Sequence, residues 1–234
     1  MNDNIFHLRP KGRWHGVKPP REPMFNLPPM TKALLATSIG VYLVMMVLSA
    51  DALTFVMQTF AVRPNSYTQL GNWNPLPLVS YMFIHAGTGH ILFNGVTLAA
   101  FGSGIERVLG MKRMLGFFLL TGVVGVLAHI AVYPDSVVPV VGASGAISGL
   151  FAGILRLFSL RISNRDSMRG LGIVAMIWIG FSVLEGIRGG GNVAWVAHVG
   201  GFVAGLAVFD MFLNSPGRNS RSRPGPRRGN GFWE

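Results

Sequence analysis

The chain has no cysteine among its 234 residues, which excludes disulfide bonds, thiolate zinc sites and a cysteine nucleophile in any redox compartment. Charge is scarce too: Asp, Glu, Lys and Arg make up 12% of the residues, and only 9 are acidic. There is no H-E-x-x-H sequence, and no apolar segment holds a pair of aspartates. The zinc and aspartyl routes to hydrolysis inside a membrane therefore lack their residues. The chain does not open with the apolar run and small-residue cleavage site of a signal peptide. No convincing internal repeat of the transporter kind is found.

What is present is apolar. Hydrophobic residues make up 50% of the chain, with 31 glycines and a mean hydropathy of +0.45, the profile of an integral membrane protein. The net charge of +11 gathers in the tails and in alternate loops. Membrane topology explains that placement better than nucleic acid does.

Six stretches, 34–50, 89–105, 114–134, 136–155, 170–187 and 191–209, approach the roughly 20 residues that span a bilayer. The expected fold is all-α, a polytopic bundle of six transmembrane helices. Residues 1–30 read as a basic, proline-rich cytoplasmic tail and 31–212 as the membrane domain. Residues 213–234 read as a disordered basic tail able to meet anionic lipid. With both termini cytoplasmic, only Arg63 and Arg188 of the 20 Lys and Arg residues fall outside, as the positive-inside rule requires. The first outer connection, about 51–88, carries Trp73, Pro75, Pro77, Tyr81 and Phe83 and reads as a partly interfacial loop. The lack of a targeting peptide favours a bacterial inner membrane over an organellar one.

Polar residues inside apolar segments are disfavoured unless they pair, meet water or carry function. Spans two, four and six enter from the same side, so their first turns share a depth. His90 and Asn94 lie one turn apart on span two, Ser144 opens span four within Gly142-Ala143-Ser144-Gly145, and His198 is expected about seven residues, roughly 10 Å, into span six. A serine is a weak nucleophile unless a hydrogen-bonded imidazole takes its proton, which defines the roles of Ser144 and His198. No carboxylate shares that depth: Asp51 and Asp135 are in loops, Glu185 ends span five, and Asp210 lies at the inner end of span six. A dyad is therefore expected rather than a triad. The Asn94 amide, the His90 ring N–H and the Ser144 backbone N–H are the candidate donors to an oxyanion, aided by a helix N-terminus.

Other residues carry plainer readings. His129 is the main rival base, and His85 reads as structural. Three histidines at one depth without a carboxylate argue against a metal site. Ser148 with Gly149 reads as helix packing. Ala197, Gly201 and Gly205 recur every fourth residue, a smooth strip expected to pack span six on span four. Glu106 with Arg107 reads as a structural cap or ion pair.

Taken in order, His85-x4-His90-x3-Asn94, the GASG around Ser144 and the AHxxG from Ala197 to Gly201 resemble the rhomboid family of intramembrane serine proteases, over residues 31–212. The resemblance implies a six-helix rhomboid-like bundle and a serine-type endopeptidase that cleaves transmembrane protein substrates near the outer boundary through an acyl-enzyme. Ser144 and His198 would be the dyad, with His90 and Asn94 assisting the oxyanion, and the substrate would carry small residues before the scissile bond. It implies no cofactor and no metal; the partners would be transmembrane substrates and membrane lipids, not nucleic acid. Two positions depart from the family pattern. Leu76-Pro77 stands where many members have Trp-Arg, and Ser148 stands where an aromatic often packs on the histidine, leaving Trp195 or Tyr81 to orient the imidazole. Span five, followed by Gly189-Gly190-Gly191, is the expected gate. The alternative is a catalytically inactive rhomboid-like protein that binds transmembrane clients; such relatives usually lack the nucleophile or the base.

Overall fold

A proline at its first helical position, where the missing N–H costs nothing, starts α1 (Pro29–Val47) in the computed structural model. The structure describes residues 26–71, 73–162, 164–188 and 194–213. Most of the expected N-terminal tail, nearly all of the C-terminal tail and the Gly189–Gly191 connection lie outside the described residues. The free N–H groups at the start of α1 are met from far along the chain. Glu106 accepts from Met30 N (2.8 Å), Thr31 N (2.7 Å) and Thr31 Oγ1 (2.8 Å) while only 4% exposed. Arg107 instead donates to the Asn26 carbonyl oxygen. Among the described residues Glu106 is thus a cap and not half of an ion pair. Glu106→Ala strands several buried donors and is expected to lower stability by about 2–4 kcal/mol, measured by denaturation in detergent.

The apolar stretches form helices with shifted ends. By length and composition, α1, α7 (Met111–Val132), residues Arg165–Leu184 of α9 (Arg165–Arg188) and α10 (Trp195–Leu213) are long and apolar enough to cross a membrane. Span two is a composite rod: α5 (Thr88–Thr97), a π-helical turn (Leu98–Gly102) and α6 (Ser103–Leu109). The wide turn takes up one extra residue. It lets Ile91 and Asn94 on one side of it, and Ile105 and Glu106 on the other, all be buried.

Span four differs most from the sequence reading. Helix α8 runs Ser144–Ser159, 16 residues, and 136–143 is not helical. Val140 there exchanges backbone hydrogen bonds with Val62 (3.2 and 2.7 Å), and Gly142 N–H donates to the Tyr81 carbonyl oxygen (2.8 Å). Backbone committed sideways in this way cannot join a helix, and Gly142 at φ +108° lies where other residues are strained. At about 24 Å, α8 is shorter than the hydrocarbon core, but every residue from Gly145 to Gly153 is buried, so most of its length is enclosed by protein. Helix α10 starts four residues later than expected, which puts His198 in its first turn rather than seven residues in.

The long connection after α1 is a folded cap. It contains α2 (Ala50–Phe60), α3 (Pro64–Thr68), α4 (Pro77–Ser80) and a 3-10 turn (Tyr81–Phe83). It is fastened to the segment leading into α8: Asn65 N–H donates to Ser136 O (3.1 Å), Thr68 Oγ1 to Pro134 O (2.6 Å) and Gln69 Nε2 to Asp135 Oδ1 (2.8 Å).

Helix α10 packs chiefly on α7 and α8, and glycine makes this approach possible. A Cβ on Gly201 would collide with the Gly145 carbonyl oxygen, and one on Gly205 would lie 2.6 Å from that of Gly149. The strip on span six therefore faces span four as its spacing implied. On α7, a Cβ on Gly125 would lie 2.5 Å from the Ala197 carbonyl oxygen. At the opposite end Arg156 of α8 clasps Asp210 of α10, Nε donating at 3.0 Å and Nη2 to the second oxygen.

Candidate active site

The close approach of α8 and α10 brings Ser144 and His198 together, with Nε2 of the imidazole 2.7 Å from Ser144 Oγ. Ser144 is the first residue of α8 and His198 the fourth of α10, so both side chains leave from opening turns. When Nδ1 carries the ring proton, Nε2 accepts from the hydroxyl, which is the arrangement a general base needs. Ala197, next to His198, has its carbonyl oxygen seated over Gly125 and Gly145. Bulk at either glycine would push the imidazole away.

Gly142 fixes the third side of the site. A Cβ there would lie 2.5 Å from His90 Nε2, so the positive-φ turn before the nucleophile rests directly on the His90 ring. Asn94, 3% exposed, donates Nδ2 to the His90 carbonyl oxygen at 2.9 Å and has its second amide hydrogen left for another acceptor. His90, Asn94, Ser144 and His198 all line one cleft of about 660 Å3. It is also walled by Met57 of α2, Phe181 of α9 and the extended 138–142 segment. A cavity of about 40 Å3 adjoins Ser144 beside Ile147 and Thr97. Among the described residues no group of three or more His, Asp or Glu side chains is placed to hold a metal ion.

His129 and His85 lie apart from the Ser144–His198 hydrogen bond. His129 of α7 stacks on Tyr133 with ring centroids 5.1 Å apart. His85 is 2% exposed, faces the His90 ring edge-on at 5.1 Å, and its Nδ1–H donates to Phe83 O at 3.3 Å. Burial, reinforced by neighbouring His90, pushes His85 down to about 4. An unfolded chain takes up this proton near 6.5 and the folded one only near 4, so stability is expected to fall as pH drops through that window. A His85→Gln variant should show a shallower loss in a thermal-shift series. The two groups expected to orient His198 are engaged elsewhere: Tyr81 donates its hydroxyl to Gly122 O (2.8 Å) and the Trp195 indole donates to Tyr133 Oη (3.1 Å).

Sequence reasoning did not reach Met57, which arrives from a helix the hydropathy pattern does not show. Nor did it reach the contact of Gly142 with His90. The Gly-x-Ser spacing hints that the turn needs a glycine but says nothing of what rests on it.

The bundle defines a polytopic membrane protein with a serine and a histidine joined below one of its faces. A family model described as the rhomboid domain matches residues 72–215, and the chain belongs to the rhomboid family. It is 28% identical over 184 residues to the rhomboid protease GluP of Bacillus subtilis (strain 168), covering 76% of this chain and 34% of the relative. It is 24% identical over 212 residues to the rhomboid protease AarA of Providencia stuartii, covering 80% of this chain and 73% of the relative. It is 29% identical over 184 residues to the rhomboid protease GlpG of Serratia proteamaculans (strain 568), covering 77% and 61%. The chain thus spans about a third of GluP and about three fifths of GlpG. With its apolar helices, it is an integral membrane protein.

Proposed function

We propose that this protein is an intramembrane serine endopeptidase acting on transmembrane protein substrates, with Ser144 as nucleophile and His198 as base. The observation that carries the reading is the 2.7 Å hydrogen bond between His198 Nε2 and Ser144 Oγ at the floor of a cleft walled by α2, α5 and α9. The relatives named above are each described as rhomboid proteases, which supports the same chemistry. Ser144 Oγ attacks the scissile carbonyl as His198 takes its proton; the tetrahedral adduct collapses to an acyl-enzyme when His198 returns that proton to the leaving amine. Water then attacks the ester with His198 again as base, and the carboxylic acid and free Ser144 hydroxyl are restored. The Ser144 N–H, the His90 ring N–H and the free hydrogen of the Asn94 amide are the donors proposed for the oxyanion. The small cavity beside Ser144 admits a small side chain or water, in keeping with small residues before the cleaved bond.

The charge pattern supports both termini in the cytoplasm and the cleft towards the outer face; a bacterial inner membrane is the setting proposed. A buried helix must unwind to expose a carbonyl, so the cut is proposed near the outer boundary. The division into tail, membrane domain over 31–212 and tail is part of the same reading. The deciding experiment treats the full chain in liposomes with a fluorophosphonate and maps the adduct by mass spectrometry while cleavage of a reporter transmembrane substrate is followed. An adduct on Ser144 with cleavage is expected; a folded protein that binds the reporter yet neither labels nor cuts would favour the client-binding alternative. His129→Ala should leave turnover within about twofold, since Ser144 is hydrogen-bonded to His198 instead; loss of activity there would reassign the base.

A further inference from the structure

Helix α10, which carries His198, is tied differently at its two ends. At the inner end Arg156 of α8 holds Asp210, and Arg113 of α7 donates Nη1–H to the Phe212 carbonyl oxygen at 3.3 Å. Both neighbours grip it there through side chains. At the outer end, among the described residues, two side-chain hydrogen bonds join the first turn of α10 to other elements. One is the bond of His198 to Ser144. The other runs from Trp195 Nε1–H to Tyr133 Oη at 3.1 Å, linking the first residue of α10 to the residue that follows the last turn of α7. Tyr133 is a fixed post. Its N–H donates to the His129 carbonyl oxygen at 2.9 Å, and its own carbonyl oxygen accepts from Ser136 N–H at 3.2 Å. Pro134 and Asp135, which come next, are fastened to the cap by Thr68 and Gln69.

We infer that Tyr133 and Trp195 are positioning residues: their hydrogen bond holds the first turn of α10 against α7 while Ser144 is acylated, and so keeps His198 aimed at the water that releases the acyl group. The inference rests on the proteolytic reading above. In the resting protein the Ser144 hydroxyl donates to the imidazole, and the pair holds itself together. Once acylated, Ser144 Oγ is an ester oxygen with no hydrogen to give. That tie is lost at the step where Nε2 must take a proton from water as the water oxygen bonds to the acyl carbon, then pass it to Oγ as the ester bond breaks. The glycine contacts of Ala197 and Gly201 limit how closely the helices approach, whereas a directional hydrogen bond also resists their parting. The indole acts on the turn that carries His198 and not on the imidazole ring, since its N–H is committed to Tyr133.

The test uses the full chain in liposomes. Trp195→Phe and Tyr133→Phe each keep an aromatic ring and remove one partner of the bond. An activated aryl ester loads the acyl-enzyme, whose decay is followed by intact mass; the rate of fluorophosphonate labelling, measured in parallel, reports attack by the resting pair. Trp195→Phe is expected to lengthen the adduct's lifetime about threefold, the typical weight of one hydrogen bond between membrane helices, with the labelling rate unchanged. Tyr133→Phe should match it, and the double variant should be no slower than either single one, because each change breaks the same bond. A second measurement reads the tie without turnover. In Ser144→Ala, which lacks the hydroxyl, adding Trp195→Phe should speed amide hydrogen exchange over residues 196–201, and more than it does with Ser144 present. An adduct lifetime or an exchange rate unmoved by Trp195→Phe would overturn the inference, as would labelling and adduct decay slowing by one common factor, which marks a general loosening of the site. A wild type that takes neither probe sinks the proteolytic reading alone, and the exchange comparison still decides whether the indole holds the turn.

Discussion

Ser144→Ala is expected to abolish fluorophosphonate labelling and to lower cleavage of a transmembrane reporter by at least about 10³-fold, with His198→Ala falling comparably. The size follows from interdependence. Without the imidazole the hydroxyl keeps its proton near neutral pH, and without the hydroxyl the imidazole has only bulk water to activate. The double variant should therefore be no slower than either single one. Neither change should unfold the protein, because each removes a group at the wall of an open cleft and not a core side chain. Parallel measurements of kcat/KM and melting temperature separate the outcomes. A His198→Ala protein that still labels at the wild-type rate would remove His198 from the proposed chemistry.

Gly201→Ala is expected to lower kcat/KM by about 10²-fold while reducing stability by about 1–3 kcal/mol. Gly201 lies one turn below His198, and any side chain there meets the Gly145 carbonyl oxygen next to Ser144. Backbone cannot swing aside as a flexible side chain can, so α8 and α10 must separate where the 2.7 Å hydrogen bond is made. Gly201→Val should be more severe in both respects. Gly172→Ala in α9, where nothing lies within 4 Å of the added carbon, is the control and should be neutral or slightly stabilising. Full activity in Gly201→Ala would show that the dyad does not depend on this contact.

The all-α bundle of apolar helices and the encounter of Ser144 with His198 were legible because each depends on a signal local to the chain. Hydropathy marks the rods, and a small residue every fourth position marks the helix face that closes on its neighbour. The start of α8 was not legible. Val137, Val138, Val140 and Val141 are as apolar as the helix that follows, and the backbone bonds of Val140 to Val62 and of Gly142 to Tyr81, both distant in sequence, hold this segment out of the helix. The π-helical turn was hidden for a related reason: Leu98–Gly102 has an ordinary helical composition, and its extra residue shows only when both halves of the rod are packed. Tyr81 and Trp195 misled because the sequence does not show which acceptor the polar atom of an aromatic side chain meets. Their polar atoms answer to Gly122 and Tyr133.

The position of His198 on α10, the last described helix, has a bearing on biosynthesis. A chain made from its N-terminus carries Ser144 into the bilayer well before the residue proposed to take its proton. The turn ahead of Ser144 can already settle on Tyr81 and Val62, since these emerge earlier, yet the hydroxyl stays unassisted. No partly inserted chain holds both members of the pair. Competence for the proposed chemistry therefore arrives in one step, with the docking of the last described helix, and on that reading the insertion machinery and the neighbouring nascent segments are spared a protease at work in their midst.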